Sequence, residues 1–423
     1  MKKNLLILGG SKISTEIVNQ AQKMNLKTFV TDYYPLEKSP AKQIADVALY
    51  SDTTNLELQL KDIKEYSIDG VITGFTDSTL PMYVDITENA NLPSYANKEQ
   101  IHYLNNKYYY KELCREFKVP TTEEFSIDLS DENSYHSIDY PIIVKPVDSS
   151  GAKGVFIVKN KEELLDKCKE SIRFSTSKKL LVEKYYDTEE ITAFFYIKNG
   201  DVYLTSVADR IVDSVNDSTI KLPTGYIFPS KHTDIYKQNV LPKITKMFKS
   251  LNIRNGMIFT QCLVDGDNIR LYDLGFRLTG SLEFKLFEQM YGFNTLEMLI
   301  NYAIYEDDKE PELEYKLKHP LKAYGANITF LAKPGTVKKI EGLDDVKNHP
   351  DVIDVYLNYT ENHVIPIESK GTLNQVAARV FIVSEDKNKL YSCIEYCQQH
   401  FAIYNEMNES LIISELKVEI QEE

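Results

Sequence analysis

The chain's first chemical signal is a pair of lysines. Lys145 closes the apolar run that begins at Tyr140-Pro141, and Lys153 lies in the loop Val147-Asp148-Ser149-Ser150-Gly151-Ala152-Lys153-Gly154, ahead of the apolar run Val155-Phe156-Ile157-Val158. Two β-branched runs joined by a small-residue basic loop predict a strand, a mobile turn and a returning strand, a layout that folds over polyphosphate. The Walker pattern is absent and no helix-forming stretch follows, so this is not a P-loop. An ordinary hairpin bearing a lysine is the plainer alternative. A second pair of runs, Gly256 to Val264 and Ile269 to Arg277, flanks a Gly266-Asp267 turn and carries Gln261, Asp273 and Arg277. Taken singly, each acid is more often a solvated surface carboxylate than a ligand.

These segments, in this order, resemble the ATP-grasp superfamily. The hairpin around Lys145 and Lys153 is similar to its glycine-rich lid, which closes over nucleotide phosphates; the resemblance gives Lys145, Ser150 and Lys153 to those phosphates. Upstream, Asn105 to Cys114 followed by Lys118-Val119-Pro120-Thr121 resembles the family's opening helix, with Lys107 as its nucleotide lysine. Downstream, Leu180-Leu181-Val182-Glu183-Lys184-Tyr185-Tyr186 looks like the hinge that holds adenine, implicating Glu183, Lys184 and Tyr186. Glu190, ahead of Ile191-Thr192-Ala193-Phe194, matches the acid that takes the ribose hydroxyls. The second hairpin resembles the metal-binding one, with Gln261 and Asp273 as ligands and Arg277 as the residue that holds an acyl phosphate or its tetrahedral successor. Members usually carry E-x-N-x-R there. This chain has Asp273, Gly275 and Arg277, so a single-metal site or a loss of catalysis stays open, with Glu283 as a substitute ligand or a plain helix-start acid.

The resemblance implies a mixed α/β (α+β) chain in three parts: a small parallel-sheet preATP-grasp domain over 1–95, an ATP-grasp domain over 96–310 with its lid at about 120–187, and a small strand-rich domain over 311–423. Lys333-Pro334-Gly335-Thr336 to Leu343, Gly371 and Ala377 to Val383 are similar to the carboxy-terminal part of L-amino-acid ligases. It further implies ATP and Mg²⁺, with Mn²⁺ as a substitute, and an ADP-forming ligase that joins a small carboxylate to an amine. Arg210 and His232 fall where such ligases thread a substrate-facing loop; each reads equally as a surface ion pair or a loop anchor. Two alternatives accompany this reading: a carboxylating or carbamoyl-forming enzyme, and a nucleotide sensor with a degenerate metal site.

The elements that must position these groups follow from periodicity. The first ninety-odd residues alternate strand and helix signals: Leu5 to Leu8, a helix from Lys12 to Met24, then Lys27 to Asp32, as in an open parallel sheet. Gly9-Gly10 followed by Asp32 brings a dinucleotide site to mind, but the third glycine of G-x-G-x-x-G is missing. Thr76, Asp77 and Ser78 follow the strand Asp69 to Gly74 and either reach a ligand at a strand end or cap a helix. Arg379 stands on a late strand, where it touches substrate or pairs with surface acids. A chain of 423 residues is too long for one compact core. Its net charge of -14 disfavours nucleic acid as a partner. The five cysteines read as reduced structural thiols of a cytoplasmic protein, and no apolar segment is long enough to span a bilayer. A homodimer is one option for assembly.

Overall fold

Strand β1 (Asn4–Leu8) is apolar and buried from Leu5 onward because it lies between two neighbours with both faces covered. It pairs in parallel with β2 (Lys27–Thr31) and β4 (Gly70–Ile72), and β2 with β3 (Val47–Leu49), giving the order β3-β2-β1-β4. The computed structural model describes residues 2–128, 131–136, 138–149, 151–214 and 221–418.

Asp32 follows the end of β2 and organises the loop after β1. Its carboxylate accepts from the Gly10 backbone N–H at 2.9 Å, the Ser39 hydroxyl at 2.7 Å and the Tyr34 N–H at 2.8 Å, and pairs with the buried Lys42 ammonium at 2.7 Å. A side chain at Gly10 would sit 1.8 Å from Ser39 Oγ and 2.4 Å from Asp32 Oδ2. The glycine is therefore needed for the acid to reach the backbone, and the acid ties down its own loop.

The lid is a three-stranded antiparallel sheet of β5 (Ile142–Pro146), β6 (Phe156–Val158) and β7 (Leu180–Lys184), in the order β6-β5-β7. Alternation divides its faces. Ile142, Val144, Val158 and Val182 pack with Leu164 and Cys168 of the helix Lys161–Ser171, which leaves Lys145 and Glu183 on the other face.

The main sheet is antiparallel throughout. It is built from β8 (Glu189–Lys198), β9 (Asp201–Ser214), β10 (Lys221–Phe228), β11 (Asn255–Asp265), β12 (Asn268–Gly275), β13 (Tyr324–Leu331), β16 (Val352–Leu357) and β18 (Val376–Ser384), in the order β12-β11-β8-β9-β10-β13-β18-β16. Two short pairings, β14 (Gly335–Thr336) with β17 (Val364–Ile365) and β15 (Lys339–Glu341) with β19 (Ala402–Tyr404), complete the strands. One sheet thus runs across the boundary expected near residue 310, because Gly225–Phe228 of β10 pairs with Gly325–Ile328 of β13. The acidic stretch before it is tied down: Asp308 is buried against Lys198. The late strands keep an apolar cluster of their own with Leu390, Ile394 and Cys397.

The loop held by Asp32 yields a stability prediction. Asp32→Ala leaves Lys42 buried without its acid, so unfolding stability should fall by about 3–5 kcal/mol, the usual cost of orphaning one member of a buried pair. A urea midpoint indistinguishable from the parent's would disprove this account of Asp32.

Candidate active site

The helix Lys107–Glu116 presents Lys107 and Lys111 one turn apart on one face. Lys107 Nζ donates to the Ser149 carbonyl in the lid loop at 2.7 Å and stands 3.7 Å from Asp273 Oδ1. Lys111 is fully buried and hydrogen-bonds Thr122 Oγ1 at 2.9 Å and Glu183 Oε1. On the other side Lys145 Nζ lies 2.5 Å from Glu183 Oε2 and 3.2 Å from the Tyr272 carbonyl. Glu183, 1 % exposed, therefore shares its carboxylate between two buried lysines, with the Thr122 hydroxyl donating at 2.6 Å. Burial pulls the Lys145 ammonium well below the usual lysine range, and the charges of Lys111 and Lys107 pull it further. Burial also lowers Lys111, to about 8, with Glu124 opposing.

On the second hairpin, Gln261 and Asp273 are directly opposed, and the register shifts beside them so that Tyr272 is the extra, bulged residue. The bulge serves three partners. The Tyr272 carbonyl accepts from Lys145 and from the Tyr110 hydroxyl at 2.9 Å, and its own hydroxyl donates to Glu190 at 2.7 Å.

Gly275 has a steric cause. A Cβ there would lie 2.4 Å from the Phe259 ring, so that ring fills the space a side chain at 275 would need. The Arg277 guanidinium stands 5.1 Å over the same ring and binds Asp77 bidentately, Nε to Oδ1 at 2.6 Å and Nη2 to Oδ2 at 2.7 Å; Nη1 donates to the Leu278 carbonyl at 2.9 Å. Burial works against both charges, yet the pair outweighs it: Asp77 is held below the usual carboxylate range and Arg277 above its ordinary value. Three of the five guanidinium N–H groups are engaged by partners among the described residues, and the other two have none there.

These groups frame one cavity of about 550 Å³, lined by Asp77, Lys107, Ser149, Gly151, Asp273 and Arg277, with His102 and Asn105 at the helix side. The parallel sheet supplies Asp77, the helix Lys107, the lid Ser149 and Gly151, and the hairpin Asp273 and Arg277. Other expected residues lie elsewhere. Lys145 and Glu183 are paired with each other beside the cavity. Glu190 holds Arg210 in an ion pair across β8 and β9, and His232 Nε2 lies 2.8 Å from Glu189 Oε2; none of these lines the cavity. Lys153 is exposed, Lys184 and Arg270 flank the Tyr186 ring at 5.9 and 5.0 Å, and Ser150 lies outside the described residues. Glu283 is buried and caps its own loop, accepting from the Thr279 and Ser281 hydroxyls, so it stands as a structural acid. Sequence reasoning missed Lys111, Thr122 and Tyr272. Only Lys111 had a signal, its one-turn offset from Lys107.

Residues 104–281 match the sequence profile described as the ATP-grasp domain. This chain carries an ATP-grasp domain. Its relatives include a formate-dependent phosphoribosylglycinamide formyltransferase from Prochlorococcus marinus subsp. pastoris, 27 % identical over 179 residues, which are 42 % of this chain and 45 % of that one. The chain spans about half the length of the curated relatives it matches. Among solved structures, the L-amino acid ligase from Bacillus licheniformis superposes with a TM-score of 0.77 at 18 % identity, covering 96 % of this chain and 99 % of that one. The biotin carboxylase domain of Hydrogenobacter thermophilus 2-oxoglutarate carboxylase, in complex with MgADP, ADP and bicarbonate, does so at 0.75 and 16 % identity, covering 95 % and 91 %. The ATP-grasp fold therefore extends beyond the profile match, preceded by the parallel sheet and joined to the late strands. No helix among the described residues is long and apolar enough to cross a membrane.

The fit of Gly275 against Phe259 makes a testable pair. Gly275→Ala should destabilise the ATP-grasp domain by about 1–3 kcal/mol through overpacking. In a Phe259→Ala background the same substitution should cost much less. Equal costs in the two backgrounds, from urea unfolding of the four proteins, would mean that the ring does not exclude a side chain at 275.

Proposed function

We propose that this protein is an ATP-dependent ligase that joins a small-molecule carboxylate to an amine and releases ADP and phosphate. What supports the reading most is the cavity at which Lys107, the lid loop, Asp273 and Arg277 converge. The division into a preATP-grasp domain over 1–95, an ATP-grasp domain over 96–310 and a ligase-type domain over 311–423 belongs to this proposal.

A carboxylate is a poor acyl donor because its leaving group would be oxide. Phosphorylation converts that oxygen into a good leaving group, and an amine can then attack through a tetrahedral intermediate. Phosphoryl transfer needs charge neutralisation and alignment more than a nucleophilic side chain. Lys107, on the cavity wall, and Lys145, behind it with Lys111, supply the positive field for the phosphates; Lys153, on the exposed loop, and Ser150 belong to the lid that would close over them. In this reading the hinge from Glu183 through Lys184 to Tyr186 holds adenine by its backbone, with Glu190 toward the ribose.

The donor set suits one Mg²⁺ rather than a full protein cage. Asp273 is 35 % exposed in its side chain and sits opposite Gln261, while no group of three or more acidic, cysteine or histidine ligands occurs among the described residues. One carboxylate with an amide oxygen is enough for Mg²⁺ that keeps phosphates and water as its other ligands. When bound, the ion would neutralise charge on the transferring phosphoryl group. Arg277, anchored by Asp77 with two N–H groups left over, is placed to hold the acyl phosphate or the oxyanion that follows it. Arg210 and His232, held in this structure by Glu190 and Glu189, are proposed to grip a substrate carboxylate or position the amine. The cytoplasm and a homodimer fit this reading.

The replacement of the usual Asn by Gly275 favours a second reading, a nucleotide sensor without turnover. Mg²⁺-dependent ADP release over a panel of amino acids separates the two, and labelled bicarbonate added to the same assay identifies a carboxylating enzyme. In the ligase, Asp273→Asn should raise the Mg²⁺ concentration needed for half-maximal ADP release, since a neutral amide holds the ion weakly. Arg277→Ala should lower unfolding stability by about 3–5 kcal/mol by orphaning Asp77. It should also depress turnover per folded molecule by about two to three orders of magnitude. A wild-type rate from the surviving folded fraction would confine Arg277 to holding Asp77.

A further inference from the structure

The lid gathers its loops at one end. In its sheet Pro146 opposes Leu180 and Val144 opposes Phe156, so residues 147–149, 151–154 and 172–179 all lie past the same end of the strands. Hydrogen bonds and packing tie these segments together. The Asp148 carboxylate accepts from the Ser175 hydroxyl at 2.8 Å and the Ser177 N–H at 2.7 Å, and the Val147 N–H donates to the Lys179 carbonyl at 3.3 Å. The Ser171 hydroxyl donates to the Gly154 carbonyl at 2.7 Å, and a side chain at Gly154 would lie 2.9 Å from Phe174. Because Asp148, Ser149 and Gly151 line the cavity, this end of the lid is its rim.

Four cations stand on that rim. Lys153, Arg173, Lys178 and Lys179 are exposed, and none has an acid within ion-pair distance among the described residues. The lysines on the outer helix of the lid differ, since Lys167 pairs with Glu170 and Lys169 with Asp166. Asp148 is the one acid in the sequence of the rim segments, and its charge offsets one cation. The acids across the cavity have cations of their own: Asp77 has Arg277, Asp85 has Lys98 at 3.0 Å, and Asp273 faces Lys107 at 3.7 Å. The rim is thus locally positive on a chain whose net charge is -14.

We propose that Arg173, Lys178 and Lys179, with Lys153, form an electrostatic entry that draws the polyphosphate of a Mg²⁺-nucleotide into the cavity and raises its association rate without holding it once bound. This rests on nucleotide binding by the ATP-grasp domain and not on the ligase reading. A polyanion approaching a strongly acidic protein meets net repulsion, which salt screens beyond about 8 Å at physiological ionic strength. Inside that range the charges at the mouth decide, and a cleft edged by the opposite sign speeds capture by about tenfold or more. Exposed cations add little to a bound state, because water screens them and their long side chains lose freedom when held. Their contribution is therefore to the on-rate.

The test is stopped-flow association of the full chain with a fluorescent, non-hydrolysable ATP analogue, methylanthraniloyl adenylyl imidodiphosphate, in Mg²⁺. The wild-type on-rate should fall as NaCl is raised. The triple variant Arg173→Gln, Lys178→Gln, Lys179→Gln, which leaves Lys153 in the lid loop, should associate about tenfold more slowly at low ionic strength. Its salt dependence should vanish or reverse, because only net repulsion is left to screen, and its off-rate should stay near that of the wild type. A control removes the same charge elsewhere: Lys61→Gln and Lys64→Gln on the exposed side of the helix Leu56–Glu65, with Lys159→Gln past the opposite end of β6. It should associate at nearly the wild-type rate. Equal slowing in the two triples would make the effect one of net charge and overturn the proposal. So would a loss carried by the off-rate, or a wild-type on-rate that does not fall with salt. An analogue that fails to bind the wild type at all overturns the proposal together with nucleotide binding, whereas binding of normal affinity with no effect of the rim overturns the entry alone.

Discussion

The Arg277–Asp77 pair is the interaction on which the arrangement of the site depends. Two hundred residues separate its members in sequence. It joins the start of the short helix after β4 to the end of the hairpin that carries Asp273. Glu16 with Lys285 and Gln20 with Glu297 also tie the first helix of the parallel-sheet unit to the helices after the hairpin, but the Arg277 pair is the one that fixes the cavity wall supplied by Asp77 to the hairpin itself. A bidentate arginine–carboxylate pair fixes orientation as well as distance. Phe259 adds a second constraint by supporting the guanidinium from below while denying a side chain to position 275. The departure from the usual hairpin motif is thus compensated locally: the volume a side chain at 275 would occupy is filled by a ring that also orients the arginine.

The sequence made the site legible wherever chemistry was carried by short, contiguous patterns. Lys107, Asp273, Arg277 and the lid loop were singled out from spacing and resemblance, and they do share one cavity. The parallel sheet and the lid strands were also readable, because both are written as short apolar, largely β-branched runs bounded by turn residues. What was not readable is who pairs with whom. Arg277 could have faced Glu283, only a few residues away, but the loop turns Glu283 inward onto Thr279 and Ser281 and leaves the arginine to an acid from another sheet. Arg210 and His232 were picked for their place in the chain, and both have acids on β8 as neighbours. Tyr272 was invisible as a site residue because a bulge is a property of two strands in register, not of either sequence.

The main sheet explains how a late strand comes to share a face with an early site. Its antiparallel order brings β18 next to β13 and β13 next to β10, so one face continues from the hairpin to Arg379, which is buried beside Thr329 and not paired with a surface acid among the described residues. The apolar cluster of the late strands marks a separate packing unit, yet the ladder between β10 and β13 joins the polar faces. A boundary drawn from composition near residue 310 follows the change in texture and misses this continuity, because hydrogen bonds between strands leave no trace in composition.

Net charge and site charge point in opposite directions, and the buried triad shows why. The chain is strongly acidic as a whole, but Lys111 and Lys145 are buried together around Glu183, with the less buried Glu124 3.3 Å from Lys111 as a second acid. Burial and like-charge neighbours weaken the hold of Lys145 on its proton, a cost the protein sustains at a place where it could have used apolar side chains of similar volume. A polyanion beside these lysines would offset that cost, because it adds negative charge where the dielectric is low and the attraction strong. Buried lysines whose protons are weakly held are therefore better understood as preparation for an anionic ligand than as a contribution to stability.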